Sequence, residues 1–332
     1  MPPRNPTAAH HFDVSTFRLF DVSPSPILKP GSRSHNPEMP DTSISKTMAR
    51  SDLDRPECRA VLTELFGLIR RMNANGAKYS SWYGHVDAWP SAWEHLNRGE
   101  DYKPFPGNPD ELRIPWFLLW EIAWIVANTP MRPAARVLDM GGAGSLFTCY
   151  LAARGCEVHT IDLQADLCKR SEETARQMGW RMFAKQMDMT RLDYPDEYFD
   201  HVFSVCVFEH LPVSGRVECN AEVARVLRPG GTVAYTFDYA NPQSFGRIDT
   251  PQDVRRQFIE PSGLTLRGGD NFVDTGERYL AAPQCFGIGR FRQMMARLHA
   301  FLSGSVVRSR VLSGRTSYTF GSVFLEKRGG ST

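Results

Sequence analysis

The hydrophobic positions change rhythm twice along the chain. Residues 1 to about 50 show no sustained periodicity and hold eight prolines among many Ser, Thr and Asn. That composition predicts a disordered tail. Phe12, Phe17, Leu19 and Phe20 are its apolar cluster, and a more globular sequence opens near Met48, a possible downstream start. From Pro56 to Met72 the residues Val61, Leu62, Leu65, Phe66, Ile69 and Met72 recur at helical spacing, and Asn75-Gly76 ends the segment. Residues 79 to 128 carry six of the seven tryptophans. Trp116, Trp120 and Trp124 are spaced by four along one side of a helix. That helix is apolar nearly all round, interrupted by Glu121, which predicts burial. Trp82, Tyr83, Trp89 and Trp93 sit in a stretch broken by Gly84, Pro90 and Gly99. They read equally as a satellite core or as an aromatic cover over a ligand pocket.

The second change comes at Arg136. A short apolar run ends at Asp139 and is followed by a glycine cluster and a helix over 145–154. Strands are predicted at 157–161, 181–186, 199–208 and 232–237, with helices at 164–178 and 217–227 between them. A helix at 251–258 and a strand at 264–267 follow, and the last strand is predicted at 318–326. Strands alternating with helices at this spacing predict an α/β fold with a doubly wound parallel sheet. The roughly fifty residues before the last strand, with a helix near 288–302, are too long for a plain connection and predict an insertion. The expected organisation is a tail over 1–50, a Trp-rich helical cap over 51–128, a Rossmann-like domain over 129–270, a substrate element over 271–317 and a terminal strand over 318–328.

Composition narrows the function classes. In 332 residues the formal charge is +2, which argues against a nucleic-acid coat protein. The segment from Arg290 to Arg328 holds eight Lys or Arg and one acid, Glu326, and reads as a solvated face rather than an RNA surface. The seven cysteines form no CxxC pair, which predicts reduced thiols and a cytoplasmic setting. The longest apolar stretch, 115–128, is too short to span a bilayer. No basic region followed by an apolar core opens the chain, so no secretory leader is expected.

In doubly wound sheets ligands bind at the carboxyl ends of the strands, and Asp139, Asp162, Asp188 and Glu209 all fall there. The segment Val137-Leu138-Asp139-Met140-Gly141-Gly142-Ala143-Gly144-Ser145 is a strand, a turn of small residues and a helix start. Small residues let a backbone approach a ligand closely, and the helix start offers free N–H groups. The dinucleotide pattern GxGxxG fails, because the sixth position from Gly142 is Phe147. Asp139 would also repel a pyrophosphate.

This block resembles the first motif of class I S-adenosylmethionine-dependent methyltransferases, small-molecule (ubiquinone-biosynthesis-like) group. Ala143 and Ser145 stand where that family usually has glycine. Phe208-Glu209-His210-Leu211-Pro212 is similar to the family's segment after the fourth strand. Ala224-Arg225-Val226-Leu227-Arg228-Pro229-Gly230-Gly231 is similar to its turn before the fifth. The resemblance implies S-adenosyl-L-methionine as cofactor, held by the loop of Asp139, Gly141, Gly142, Ala143 and Gly144. It implies Asp162 with Leu163 at the ribose, Asp188 with Met189 at the adenine, and Val207, Phe208 and Glu209 closing the site.

The implied reaction is methyl transfer to a small, partly apolar metabolite, with oxygen the first expected acceptor and nitrogen or carbon as alternatives. His210 is the candidate base by type and location. Tyr235, Asp238 and Tyr239 near the end of the fifth strand are rival candidates, and His85 and His95 lie in the aromatic segment. No metal site is expected, because no cluster has ligand spacing. The rival functions are a non-catalytic module that binds the cofactor and a partner protein, an RNA methyltransferase, and a nucleotide-dependent oxidoreductase.

Overall fold

A computed structural model describes residues 43–77, 116–241, 246–281 and 316–329. Trp82, Tyr83, Trp89, Trp93, His85, His95 and the helix expected near 288–302 lie outside the described residues. The sheet is built from β1 (Lys46–Thr47), β2 (Arg136–Met140), β3 (Glu157–Asp162), β4 (Met182–Gln186), β5 (Phe199–Val205), β6 (Leu227–Tyr239), β7 (Thr265–Leu266), β8 (Tyr279–Ala281) and β9 (Thr316–Glu326). The helices are α1 (Pro56–Ala74), α2 (Trp116–Asn128), α3 (Leu146–Ala153), α4 (Ala165–Met178), α5 (Val213–Val226) and α6 (Pro251–Val254). Strand order is β1-β9-β6-β5-β2-β3-β4, with β7 and β8 also paired to β9. Strands β2 to β6 pair in parallel, whereas β9 runs antiparallel to β6. The α/β, doubly wound reading of the sequence is thus the observed one.

Alternation along the strands divides the core. Leu138, Val202, Val233, Tyr235 and Phe237 face one layer, which packs against α5 and Phe258. Val137, Phe203 and Ala234 face the other layer, which holds α1, α2 and α3. Helix α2 is buried on every side, from Leu118 through Val126, as a composition apolar but for Glu121 requires. The helical segment expected as a cap is therefore a full layer on one sheet face over 56–74 and 116–128. Phe117 stacks on Phe320 of β9 at 4.3 Å.

Three expectations are corrected. The tail boundary at residue 50 is too late. Ser43 and Ser45 to Ala49 are buried, and Lys46 and Thr47 pair with Ser322 and Gly321 of β9. The segment preceding Met48 is therefore part of the sheet. Strand β5 ends at Val205 rather than 208, because Cys206 takes a positive φ of 49° and breaks the ladder. The Pro229-Gly230-Gly231 segment lies inside β6, where a register shift between Phe199 and His201 absorbs it. Gly230 takes φ 75°, its N–H donates to the Lys327 carbonyl, and the Lys327 N–H donates to the carbonyl of Gly231.

The N-terminal segment is anchored by a buried ion pair. The Lys46 ammonium meets the Asp52 carboxylate at 2.6 Å, with side-chain exposures of 5% and 1%. Asp52 also accepts from the Ala49 N–H and from Trp120 Nε1, both at 2.9 Å. Trp124 Nε1 donates to the Ile44 carbonyl, and Lys46 lies 4.7 Å above the Trp124 ring. The two tryptophans thereby tie β1 to α2. Replacing Asp52 by Ala strands a buried ammonium and two N–H donors, so Asp52→Ala is expected to cost about 3–5 kcal/mol. Chemical denaturation of wild type and variant measures it, and a loss below about 1 kcal/mol would remove the anchor from the list of stabilising contacts.

Candidate active site

The turn after β2 is shaped by one carboxylate beneath it. Asp139 is 1% exposed, and its Oδ2 accepts from Thr148 Oγ1 at 2.5 Å. Thr148 Oγ1 also lies 2.6 Å from the Gly142 carbonyl. A Cβ placed on Gly142 would lie 2.0 Å from Asp139 Oδ2, so only glycine fits there. Gly141 takes φ 80°, and a Cβ on it would meet Val207 at 2.5 Å. Val207 thus presses the end of β5 against the loop of β2. Ser145 caps α3 by accepting from the Thr148 N–H at 3.0 Å. Ala143 and Gly144 are buried in the same turn. Asp139 therefore holds the loop from below. Burial pushes its carboxyl up to about 7 against the opposing Thr148 hydrogen bond, and its Oδ1 has no partner.

Strand β3 ends in the same plane, since Met140 pairs with Ile161. Asp162 is half-buried, and its Oδ1 accepts from the Gln164 N–H at 2.9 Å. Partial burial raises its carboxyl above the usual range. Leu163 beside it is 69% exposed, an apolar side chain presented at the rim where a flat ring can lie. Asp188 is exposed and turns the chain by accepting from the Thr190 N–H and hydroxyl at 2.9 Å, while Met189 is half-buried against the core.

The remaining expected residues divide. Phe208 is fully buried against Tyr235 and Phe258, so it belongs to the core. Tyr235 is likewise fully buried, and its hydroxyl donates to Asn220 Oδ1 at 3.1 Å. It lies on the opposite face of β6 from Asp238, which removes it as a catalytic candidate. Tyr239 is buried and donates to Asp274 Oδ2 at 3.2 Å. His210 is exposed on a 3₁₀ turn over 208–210, and its charge interaction with Asp238 favours the carboxylate. Glu209 and Asp238 converge instead. The Asp238 N–H donates to Glu209 Oε1 at 3.3 Å.

A residue the sequence reading passed over completes this group. Glu121, the interruption in the apolar helix α2, is 0% exposed, and Cys206 Sγ donates to its Oε1 at 2.6 Å. One charged residue in an otherwise apolar buried helix was the available signal. Donor atoms of Cys206, Glu209 and Asp238 lie within 4.8 Å of one another. Burial pushes Glu121 up to about 8, and burial with mutual repulsion raises Glu209 and Asp238. Burial, and then the same acids, hold the Cys206 thiol well above its ordinary value.

Those shifts fix a pH dependence. The unfolded chain releases the Glu121 proton near pH 4.5, but the folded protein keeps it to about 8. The folded state then binds more protons across that interval, so stability falls as pH rises from about 4.5 to about 8 and levels above it. Thermal midpoints measured across this interval are expected to fall less in Glu121→Gln than in wild type. Parallel curves would mean that Glu121 is ionised in the folded protein.

Comparison with known proteins covers the segment that carries β2 to β5. Residues 138–235 match the methyltransferase domain model. An uncharacterised protein of Mycobacterium tuberculosis is 30% identical over 124 residues, 37% of this chain and 44% of its own. A phosphatidylethanolamine N-methyltransferase of Cereibacter sphaeroides is 34% identical over 125 residues, 35% of this chain and 60% of its own. A ubiquinone biosynthesis O-methyltransferase of Methylococcus capsulatus is 32% identical over 114 residues, 34% of this chain and 47% of its own. The chain thus spans roughly half the length of the curated relatives it matches. The glycine turn and the acidic ends of β2 and β3 thus lie within the span, residues 138–235, that is similar to a methyltransferase domain.

Proposed function

We propose that this protein transfers the methyl group of S-adenosylmethionine to a small, partly apolar metabolite. The observation that carries the reading is the shared rim formed by the ends of β2, β3 and β5. There the Gly141–Gly144 turn is kept open by glycines that cannot be replaced without collision with Asp139 or Val207. The turn, Asp162 and Leu163 fit the cofactor's chemistry. A half-buried carboxylate accepts from a ribose diol, an exposed leucine covers a purine face, and close backbone approach leaves room for the amino-acid portion. Met189 joins the purine side. The phosphatidylethanolamine and ubiquinone-pathway relatives both bear names of small-molecule enzymes, which supports an acceptor of that class.

The cofactor, when bound, supplies a methyl carbon already activated by positive sulfur. The protein's part is therefore to position the acceptor and to exclude water. Asp139 and Thr148 fix the loop, Val207 sets the distance between β2 and β5, and Asp162 orients the ribose. The acids at the ends of β5 and β6 face the acceptor side and are the groups able to take a proton there.

Calorimetric titration of S-adenosylhomocysteine into wild type and Asp162→Ala tests the reading. Loss of a hydrogen bond to a charged group costs about 1.5–3 kcal/mol, so the variant is expected to bind about tenfold to a hundredfold more weakly. Equal affinity would remove Asp162 from the ribose site. Absence of binding to folded wild type would remove the methyl-transfer reading.

A further inference from the structure

The acids at the ends of β5 and β6 exceed what holding the cofactor requires. Glu121, Glu209 and Asp238 come from three separate elements; the charged neighbour of Glu121 is another acid, Asp238, whereas Glu209 interacts with the Arg216 guanidinium and Asp238 with His210. Neutral donors surround them: Cys206 Sγ and the Thr236 hydroxyl at Glu121, the Asp238 N–H on Glu209, and Asn241 Nδ2 on Asp238 at 2.6 Å. Glu121 Oε2 and Glu209 Oε2 are buried without a hydrogen-bond partner, on residues 0% and 1% exposed. Unsatisfied buried carboxylate oxygens are costly and rare in folded proteins.

We propose that this group is an ammonium-binding site that selects an amine, rather than the oxygen nucleophile expected from sequence, as the methyl acceptor. The inference rests on the methyl-transfer reading above and narrows its substrate class. An ammonium ion brings several N–H donors and a positive charge to two unpaired acceptors, and its charge favours ionised carboxylates. A neutral alcohol brings one donor and no charge, so it leaves an oxygen unpaired. An anionic acceptor is repelled. A bare divalent cation fits less well, because the Cys206 thiol is already engaged as donor to Glu121, and burial with the surrounding acids holds its proton.

The site also serves the chemistry. An ammonium nitrogen has no free electron pair until a proton leaves it. That proton goes to the Glu209–Asp238 pair, whose proton affinity burial and mutual repulsion raise toward the task. The pair freed on nitrogen forms the new bond to the methyl carbon. The carbon–sulfur pair stays with sulfur, whose positive charge is cancelled as the product nitrogen becomes positive.

The test uses full-length protein saturated with S-adenosylhomocysteine at pH 8. Hexylamine and phenethylamine are titrated calorimetrically beside their matched alcohols, 1-hexanol and 2-phenylethanol. At least one amine is expected to bind at least tenfold more tightly than its alcohol. Glu121→Gln is expected to weaken that amine at least tenfold while S-adenosylhomocysteine affinity stays within about threefold of wild type. Glu209→Gln is the second variant, used if the first fails to fold. Transfer of radiolabelled methyl to the amine and not to the alcohol adds a catalytic readout. Equal binding of amine and alcohol, binding of neither, or affinity unchanged in the variants overturns the proposal while leaving cofactor binding intact. Micromolar zinc or manganese binding that is lost in Cys206→Ser also overturns it, in favour of a metal site. Failure of S-adenosylhomocysteine itself to bind wild type is a separate result that removes the underlying reading.

Discussion

Carboxylates met mainly by neutral donors govern the arrangement of this sheet's carboxyl rim. Asp139, Glu121, Glu209 and Asp238 sit at adjoining strand and helix positions, and burial raises the proton affinity of all four. Desolvation of a charge costs several kcal/mol when nothing compensates it. The fold answers with neutral donors: the Thr148 hydroxyl, the Cys206 thiol, a main-chain N–H and the Asn241 amide. These are weak compensations compared with an ion pair. The rim is consequently held with its acids half-satisfied, which suits a place where ligands supply what the protein omits.

The contrast with Asp52 is instructive. That carboxylate is equally buried, but it meets an ammonium, an indole N–H and a main-chain N–H. Its interactions are complete, although the Met48 N–H four residues before it donates to Phe320, the β9 partner of Asp238. Arg216 shows the same completeness on the other layer. Its guanidinium donates to the carbonyls of Leu211, Gly246 and Glu209 and to Gln257. Asp52 and Arg216 are thus fully met, whereas Glu121 and Glu209 each keep one carboxylate oxygen without a hydrogen-bond partner. Glu209 joins the two: its carbonyl is clamped by Arg216 while its carboxylate faces Asp238.

Much of this was legible in the sequence. The alternation of apolar runs and helical periods located β2 to β6 and α3 to α5, because parallel strands buried on both faces read as continuous apolar segments. The loop from Asp139 to Ser145 was legible because its glycines answer to local collisions. The rest depends on packing between distant segments. Strand β1 has two residues and no periodicity, so only its partner β9, some 270 residues later, defines it. Tyr235 and Asp238 lay near one strand end in sequence, but the pleat sends them to opposite faces. Glu121 was visible as an anomaly, yet its meeting with Cys206 requires α2 to cross the end of β5, which no local pattern records. Phe208 read as part of a motif and proved to be core, because the 3₁₀ turn after Cys206 rotates it inward.

The two flanks of the sheet are finished by different means. On one flank the strands continue until the short β1 segment covers β9. On the other, β4 is the last strand, and its solvent side carries Arg181, Phe183 and Lys185, with Phe183 52% exposed between two cations. Arg181 is tied to Glu157, and Lys185 to Asp193. A foreign strand adding there would meet a charged border, a common guard of edge strands. Among the described residues, the β4 flank is thereby bordered by charge, with the ring of Phe183 exposed between Arg181 and Lys185 and 5.3 Å from the His159 ring.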